Sequence, residues 1–255
     1  MTTWPEATCA IHQPNFFPRL STLAKLYTAD HWIVLDDVQA NARDYQHRAR
    51  LADLNPTSTQ WLSLPVHRPH GQASRITDIE VVDRHLCRRR TIGMVTQFYA
   101  RSRHWSALRH AVEQVADAID ATRSMAVIAT VSTLALLRLV GWSGAVHHSS
   151  DLASRSHRSA RLADLTRSVG ATRYLCGPGG GRYLDTAPFH QLGIGVDHFD
   201  SPSAPAAWTQ ARSLSALWAL ATVGPRQLRE DLEAMRTKVP GSGRHLVGSA
   251  ENTRQ

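Results

Sequence analysis

Several short clusters along the chain hold residues that could do chemistry. The first is His12-Gln13-Pro14-Asn15-Phe16-Phe17-Pro18. A histidine titrates near neutral pH, so His12 suits a general base, and the amides of Gln13 and Asn15 suit a substrate amide or hydroxyl. The plainer alternative is a histidine that satisfies buried backbone groups in a proline-rich turn. The second cluster, Leu35-Asp36-Asp37-Val38-Gln39, offers adjacent carboxylates for a divalent cation, a ribose or an ammonium group. Neighbouring side chains of an extended segment face opposite ways, so one of Asp36 and Asp37 would face a site. Either could instead cap the segment that follows. In Tyr45-Gln46-His47-Arg48-Ala49-Arg50, Arg48 and Arg50 would share one face of a strand, where they could clamp a phosphate or carboxylate or simply meet solvent.

His147-His148-Ser149-Ser150-Asp151, with Arg161 further on, holds the letters of a Ser-His-Asp triad. A triad is assembled through the fold around a nucleophile on a sharp elbow, and no Gly-x-Ser-x-Gly is present. Ser149 or Ser150 fits better as a substrate hydrogen-bonding group or a helix cap. The last cluster runs from Tyr174-Leu175-Cys176-Gly177 through Gly179, Gly180 and Gly181 to Tyr183-Leu184-Asp185. Small residues let backbone N–H groups approach an anion closely, as an oxyanion or phosphate cradle. No Gly-Lys-Ser/Thr follows, so this is not a Walker loop. Cys176 could be a nucleophile, or a small residue that packs. The histidines show no zinc spacing, and neither a metal nor a cofactor is expected.

The elements that must position these groups follow from periodicity. Residues 8–11 read as a buried strand, 22–29 as a helix and 31–35 as a second strand; strand, helix, strand makes the two strands parallel. Residues 60–66 and 76–82 alternate apolar and polar, the pattern of half-exposed strands, which could run antiparallel to the rest. Residues 86–140 read as helix in three pieces, broken near Arg103 and Asp120. Strands are expected at 144–148, 173–176 and 195–199. Helices are expected at 158–169, closed by Gly170, and at 214–223 and 227–235. This alternation predicts an α/β fold with a mainly parallel, Rossmann-like central sheet flanked by helices and a helical insertion around 86–140. A single domain over residues 1–238 is expected, with a disordered tail over 239–255. In such sheets ligands bind at the carboxyl ends of the strands. His12, Asp36, His148 and Cys176 each follow an apolar strand.

With 255 residues, 42% hydrophobic and 20% charged, the chain has the composition of an ordinary globular protein. Three unpaired cysteines, Cys9, Cys87 and Cys176, fit a reducing compartment. The opening residues do not read as a signal peptide, and the apolar stretch 125–140 is too short and too polar to span a bilayer, so a cytoplasmic location is expected. The net charge is +8, carried almost wholly by arginine, with Lys25 and Lys238 the only lysines. The basic residues are scattered rather than interleaved with aromatics, which favours a plain arginine- and alanine-rich coding bias over nucleic-acid binding; a third reading is an anionic small substrate or an acidic carrier protein.

Ala10-Ile11-His12-Gln13-Pro14-Asn15-Phe16-Phe17-Pro18 and Val34-Leu35-Asp36-Asp37-Val38-Gln39 resemble the opening of the WbqC-like family. Tyr45 to Arg50 is similar to that family's Trp-Gln-Asn-Arg-Asn-Arg segment. Arg161-Leu162, Gly170-Ala171 and the Tyr174 to Asp185 stretch resemble its second signature, and Trp208-Thr209-Gln210 with Leu214-Ser215-Ala216-Leu217 its closing segment. Arg19, Ser21 and Thr22 stand where the family usually has Trp-Leu-Gly, and Cys176 where serine is common. The resemblance implies an enzyme of surface-glycan or specialised-metabolite biosynthesis that transfers an acyl or aminoacyl group to a small-molecule amine. The donor would be an activated acyl compound or an acyl carrier protein. His12 would be the base, Cys176 a possible acyl carrier, and Asp36 or Asp37 the amine site. Arg48 and Arg50 would hold an anionic donor. Gln13, Asn15, Gln39, Ser150, Arg161, Gly179, Gly180, Tyr183 and Asp185 would bind substrate. Two alternatives are a nucleotide-using enzyme similar to nucleotidylyltransferases, whose His-x-Gly-His motif is missing here, and a non-catalytic carrier-protein or nucleic-acid binding module.

Overall fold

The computed structural model describes residues 6–41, 44–181, 183–203 and 206–237; the tail expected from residue 239 lies outside them. The chain opens with strand β1 (Thr8–His12), helix α1 (Leu20–Tyr27) and strand β2 (His31–Val34). Four short strands follow: β3 (Arg48–Ala52), β4 (Thr59–Ser63), β5 (Val66–His67) and β6 (Glu80–Val81). Helices α2 (Arg84–Tyr99), α3 (Trp105–Ala121) and α4 (Met125–Leu139) form the helical insertion. Then come β7 (Ala145–His148), α5 (Arg158–Ser168), β8 (Arg173–Cys176), the single turn α6 (Pro178–Gly181), α7 (Ala187–Gln191) and β9 (Gly195–His198). Short α8 (Ala206–Thr209), α9 (Ala216–Thr222) and α10 (Pro225–Arg236) close the described chain.

The fold is α/β and Rossmann-like. Five strands form a parallel sheet in the order β7-β2-β1-β8-β9. The chain runs β1, β2, β7 toward one edge, then crosses to β8 and β9 on the other side of β1. The strand order therefore reverses between β1 and β8, the place where open α/β sheets leave a crevice at their carboxyl edge. Alternate residues of each strand serve opposite faces. Cys9, Ile11, Ile33, Tyr174 and Cys176 pack with Ala163 and Leu165 of α5 and Phe189 of α7. Ala10, Trp32, Val34 and Leu175 join the larger core of α1, α4 and α9.

Local chemistry explains several helix ends. Asp83 caps α2 by accepting the Leu86 N–H, Ser124 caps α4 through the Val127 N–H, and Ser215 caps α9 through the Leu217 N–H. Gly170 takes φ +73° just after α5, where a side chain would be strained. The Ser215 cap also explains why the helix expected from residue 214 starts at Ala216. The strand expected over 76–82 is instead a 3-10 turn, Ile76–Asp78, followed by the two-residue β6. The Asp78 carboxylate accepts the Arg75 N–H at 2.8 Å, closing a turn that a ladder would have to break. β4 pairs antiparallel with β3, and β6 with β5, apart from the parallel sheet. The glycine run expected as an open loop closes into the turn α6.

Gly144 shows how tightly β7 is seated. A Cβ there would lie 2.3 Å from Trp142 Cζ2 and 2.5 Å from the Asp30 carbonyl oxygen, which accepts the next N–H, that of Ala145. Gly144→Ala is expected to cost about 1–3 kcal/mol through overpacking. Urea unfolding measures this, and an unchanged midpoint would refute the tight seating of β7.

Candidate functional site

The turn that leaves β1 is fixed from three directions. Phe17 has φ +43°, rare for a side chain of its size. Its N–H donates to Ser132 Oγ of α4 at 2.9 Å, and its carbonyl accepts from Ser215 Oγ at 2.9 Å. The Asn15 carbonyl takes the hydroxyls of Thr133 and Ser132. Phe16 N–H donates to the Tyr45 carbonyl, and Gln46 Nε2 donates to Gln13 Oε1 at 2.8 Å. Sequence neighbours His12 to Pro18 are thus held by α4, α9 and the segment before β3.

Beside this turn, at the carboxyl ends of β1 and β8, lies a cleft of about 620 Å³. Ile11, His12, Gln13 and Asn15 form one wall, and Tyr174 with Gly177 to Gly180 another. Ser21, Thr22 and Lys25 of α1 reach it from one helix face, as the i, i+3 and i+4 spacing requires. His12 Nδ1 lies 2.8 Å from the Gln13 carbonyl. A carbonyl can only accept, so Nδ1 carries the hydrogen and Nε2 keeps its lone pair. Burial and the Lys25 charge pull the imidazole down to about 3, against the Gln13 hydrogen bond, with Arg19 adding to the fall. His12 is therefore neutral at physiological pH.

Lys25 is 6% exposed, and its ammonium donates to the Ile11 carbonyl at 3.1 Å. Burial pulls it down to about 8, while Cys176 and Cys9 act the other way. The cleft also borders Arg19, Arg158 and Arg212, with Asp44 the one carboxylate of its lining among the described residues. Arg19 lies with its guanidinium 4.4 Å from the Tyr45 ring centre and donates to the Arg212 carbonyl.

Asp36 and Asp37 belong to a separate network at the ends of β2 and β7. Asp36 is buried and accepts from His148 Nδ1 at 2.7 Å, from Ser149 Oγ, and from the N–H and hydroxyl of Ser150. Asp37 accepts from Ser149 Oγ and, with both oxygens, from Arg161 Nη2 at 2.5 Å. Burial acts to raise both carboxyls, but the bonds from His148 and Ser150 to Asp36, and from Ser149 and Arg161 to Asp37, hold each below the usual range. Two clusters remote in sequence thus converge, but away from the cleft lining.

The remaining expected site residues divide in the same way. Gly179 and Gly180 line the cleft with His12, Gln13 and Asn15. Cys176 is 1% exposed beneath it, its thiol donating to the Gly177 carbonyl and pushed upward in pKa by burial. Arg48 and Arg50 do share a strand, but Arg48 lies over the Trp61 ring and Arg50 donates to Thr59 Oγ1. Tyr183 is 69% exposed, with the Arg158 guanidinium 5.8 Å from its ring centre, and Asp185 Oδ1 accepts the Ala187 N–H at the start of α7. Gln39 lines a second hollow of about 550 Å³ with Asn41, Arg68 and Gln72; Gln13 and Asp44 border both hollows. Among the described residues no group of three or more His, Cys, Asp or Glu could hold a metal ion, and no helix is long and apolar enough to cross a membrane.

A model of the WbqC-like protein family matches residues 13–230. The chain belongs to this family. It is 28% identical over 206 residues to the uncharacterized protein Rv1507c of Mycobacterium tuberculosis, covering 75% of this chain and 81% of that one. No solved structure matches. In this WbqC-like chain Arg19, Ser21 and Thr22 all line the cleft. The residues sequence reasoning missed are Lys25, Arg19, Asp44, Arg158 and Arg212. Only Lys25 left a signal: a lysine within Leu23-Ala24-Lys25-Leu26-Tyr27, in a chain whose other basic residues, Lys238 apart, are arginines.

The Asp36 hydrogen bond raises His148 above the ordinary histidine range, with burial opposing. A raised folded pKa stabilises fully below the unfolded value near 6.5, and that contribution fades as pH rises through the folded pKa. The melting-temperature gap between wild type and His148→Gln is expected to be wide at about pH 5.5 and narrow at about pH 9. A gap that widens with pH would contradict the pairing.

Proposed function

We propose that this WbqC-like protein is an enzyme that forms an amide, moving an acyl or aminoacyl group from an activated donor to a small-molecule amine in the cleft between β1 and β8. The observation that carries this reading is His12: a neutral imidazole, its tautomer fixed by the Gln13 carbonyl, with the Nε2 lone pair left as acceptor in a substrate-sized crevice at the switch of strand order. The amine nitrogen attacks the acyl carbon, His12 Nε2 takes the proton that the nitrogen sheds, and the donor's leaving group departs with that proton returned to it. An anionic donor would offset the Lys25 and Arg19 charges that hold His12 down, and so make it a stronger base when loaded.

The placement of the other groups refines the roles. Asp44 borders both hollows and is better placed than Asp36 or Asp37 to orient the amine, since those two are occupied by His148, Ser149, Ser150 and Arg161. Arg19, Arg158 and Arg212 take over the anion-binding role that Arg48 and Arg50 suggested. The buried, protonated thiol of Cys176 favours direct transfer over an acyl-enzyme. The donor is a small activated compound or the arm of an acyl carrier protein, and the setting is specialised-metabolite or surface-glycan biosynthesis. A nucleotide-using enzyme is the second reading, favoured by the same basic crevice.

Incubating the protein with a panel of acyl and aminoacyl donors and amines, followed by mass spectrometry, tests the reaction. His12→Ala is expected to lower amide formation by about a hundredfold or more, and Cys176→Ser to retain it. Full turnover by His12→Ala removes the base. Loss in Cys176→Ser at an unchanged melting temperature restores the covalent route. Turnover of a nucleotide with no amide formed supports the second reading.

A further inference from the structure

Arg236, about as buried as Lys25, is answered by a carboxylate, that of Asp30, and the half-buried Arg161 and Arg173 pair with Asp37 and Asp197. Lys25 has no such partner: among the described residues no carboxylate lies within ion-pair distance of its ammonium, which donates to the neutral Ile11 carbonyl. An ammonium offers three donors, and a buried charge without a counter-ion is costly. Nearby thiols do not supply the charge, because burial pushes Cys9 up to about 12 and raises Cys176 as well. A second donor is stranded on the same cleft. Arg19 Nε is buried and has no hydrogen-bond partner among the described residues.

Lys25 is buried yet still lines the cleft. Gly177 borders it there; a Cβ at that position would stand in ordinary contact, 3.5 Å from Lys25 Cδ and 3.7 Å from Nζ. Arg158 and Arg212 extend the positive wall toward solvent. Among the described residues four cations of the lining face one carboxylate, Asp44, so a dianion balances them better than a monocarboxylate does. The volume of about 620 Å³ accommodates far more than a bare anion.

We infer that the cleft contains a phosphoryl subsite, with Lys25 as its buried anchor and Arg19, Arg158 and Arg212 around it, so that the molecule bound there carries a phosphate ester. It rests on the cleft being the substrate site, and under the amide-forming reading it assigns the phosphate to the acyl donor. Lys25 and the arginines bind and orient; no bond to them is made or broken.

Isothermal titration of the full-length protein with inorganic pyrophosphate tests this without any turnover. Pyrophosphate is expected to bind, and sodium acetate to bind at least about tenfold more weakly. Lys25→Met keeps the length of the side chain and removes an uncompensated buried charge, so it should melt no lower than wild type while weakening pyrophosphate at least about tenfold. Arg158→Gln with Arg212→Gln, both at exposed positions, should weaken it too and serves if the Lys25 variant fails to fold. Absence of pyrophosphate binding, equal affinity for acetate, or unchanged affinity in the variants overturns the subsite. Amide formation with no pyrophosphate binding would sink the subsite alone; pyrophosphate binding with no amide formed would sink the amide-forming reading alone.

Discussion

Two serine hydroxyls hold the backbone of Phe17, and the site depends on them. A bulky residue at positive φ stores about 1–3 kcal/mol of strain and persists only where its surroundings fix it. Here Ser132 takes the N–H and Ser215 bonds the carbonyl, from helices on two sides, while the Phe16 and Phe17 rings are buried in the large core. That conformation turns the chain sharply out of β1 and aims the Gln13 and Asn15 segment along the crevice. It also delivers Arg19 to the cleft and starts α1, which carries Ser21, Thr22 and Lys25. The geometry at the carboxyl end of β1 is therefore decided by α4 and α9, elements far along the chain.

The charge pattern divides the sheet's carboxyl edge into two parts with different work. At β2 and β7, Asp36 and Asp37 are saturated by His148, Ser149, Ser150 and Arg161. A carboxylate that already accepts several bonds has little left to offer a ligand, and its ionised form is held firmly. At β1 and β8 the balance is reversed: donors outnumber acceptors, and His12 is kept neutral by the excess positive charge and burial. The first part fastens β7 to β2. The second is left unbalanced, which is what a ligand with complementary charge requires.

Much of the architecture was legible because it rests on local pattern. The parallel β1–β2 pair, the three helices of the insertion and the Gly170 stop follow from periodicity and glycine placement, and the structure has each of them. The failure at 76–82 was also local: Ile76, Ile79 and Val81 fit a strand reading, but the Asp78 side chain competes for the backbone. Site residues were legible only in part. His12, Gln13, Asn15, Gly179 and Gly180 were found because strand ends are visible in sequence. The Asp36–His148 contact joins positions 112 residues apart, and the role of Lys25 depends on a missing partner. Neither a long-range closure nor an absent counter-ion leaves a mark in local spacing.

The reversal of strand order explains why the cleft lies where it does rather than over Asp36. Between β2 and β7 the chain continues in one direction, and the segment after β7 closes directly over the strand ends through Ser149 and Ser150. Beyond β1 and β8 the connections leave toward opposite faces, to α1 on one and to α7 on the other, so nothing is forced to cover the gap. Arg19, Ser21 and Thr22 all open onto that gap. A guanidinium and two hydroxyls there bear on what the crevice can recognise, while the sheet, the pinned turn and the Asp36–Asp37 fastening that create it rest on other residues.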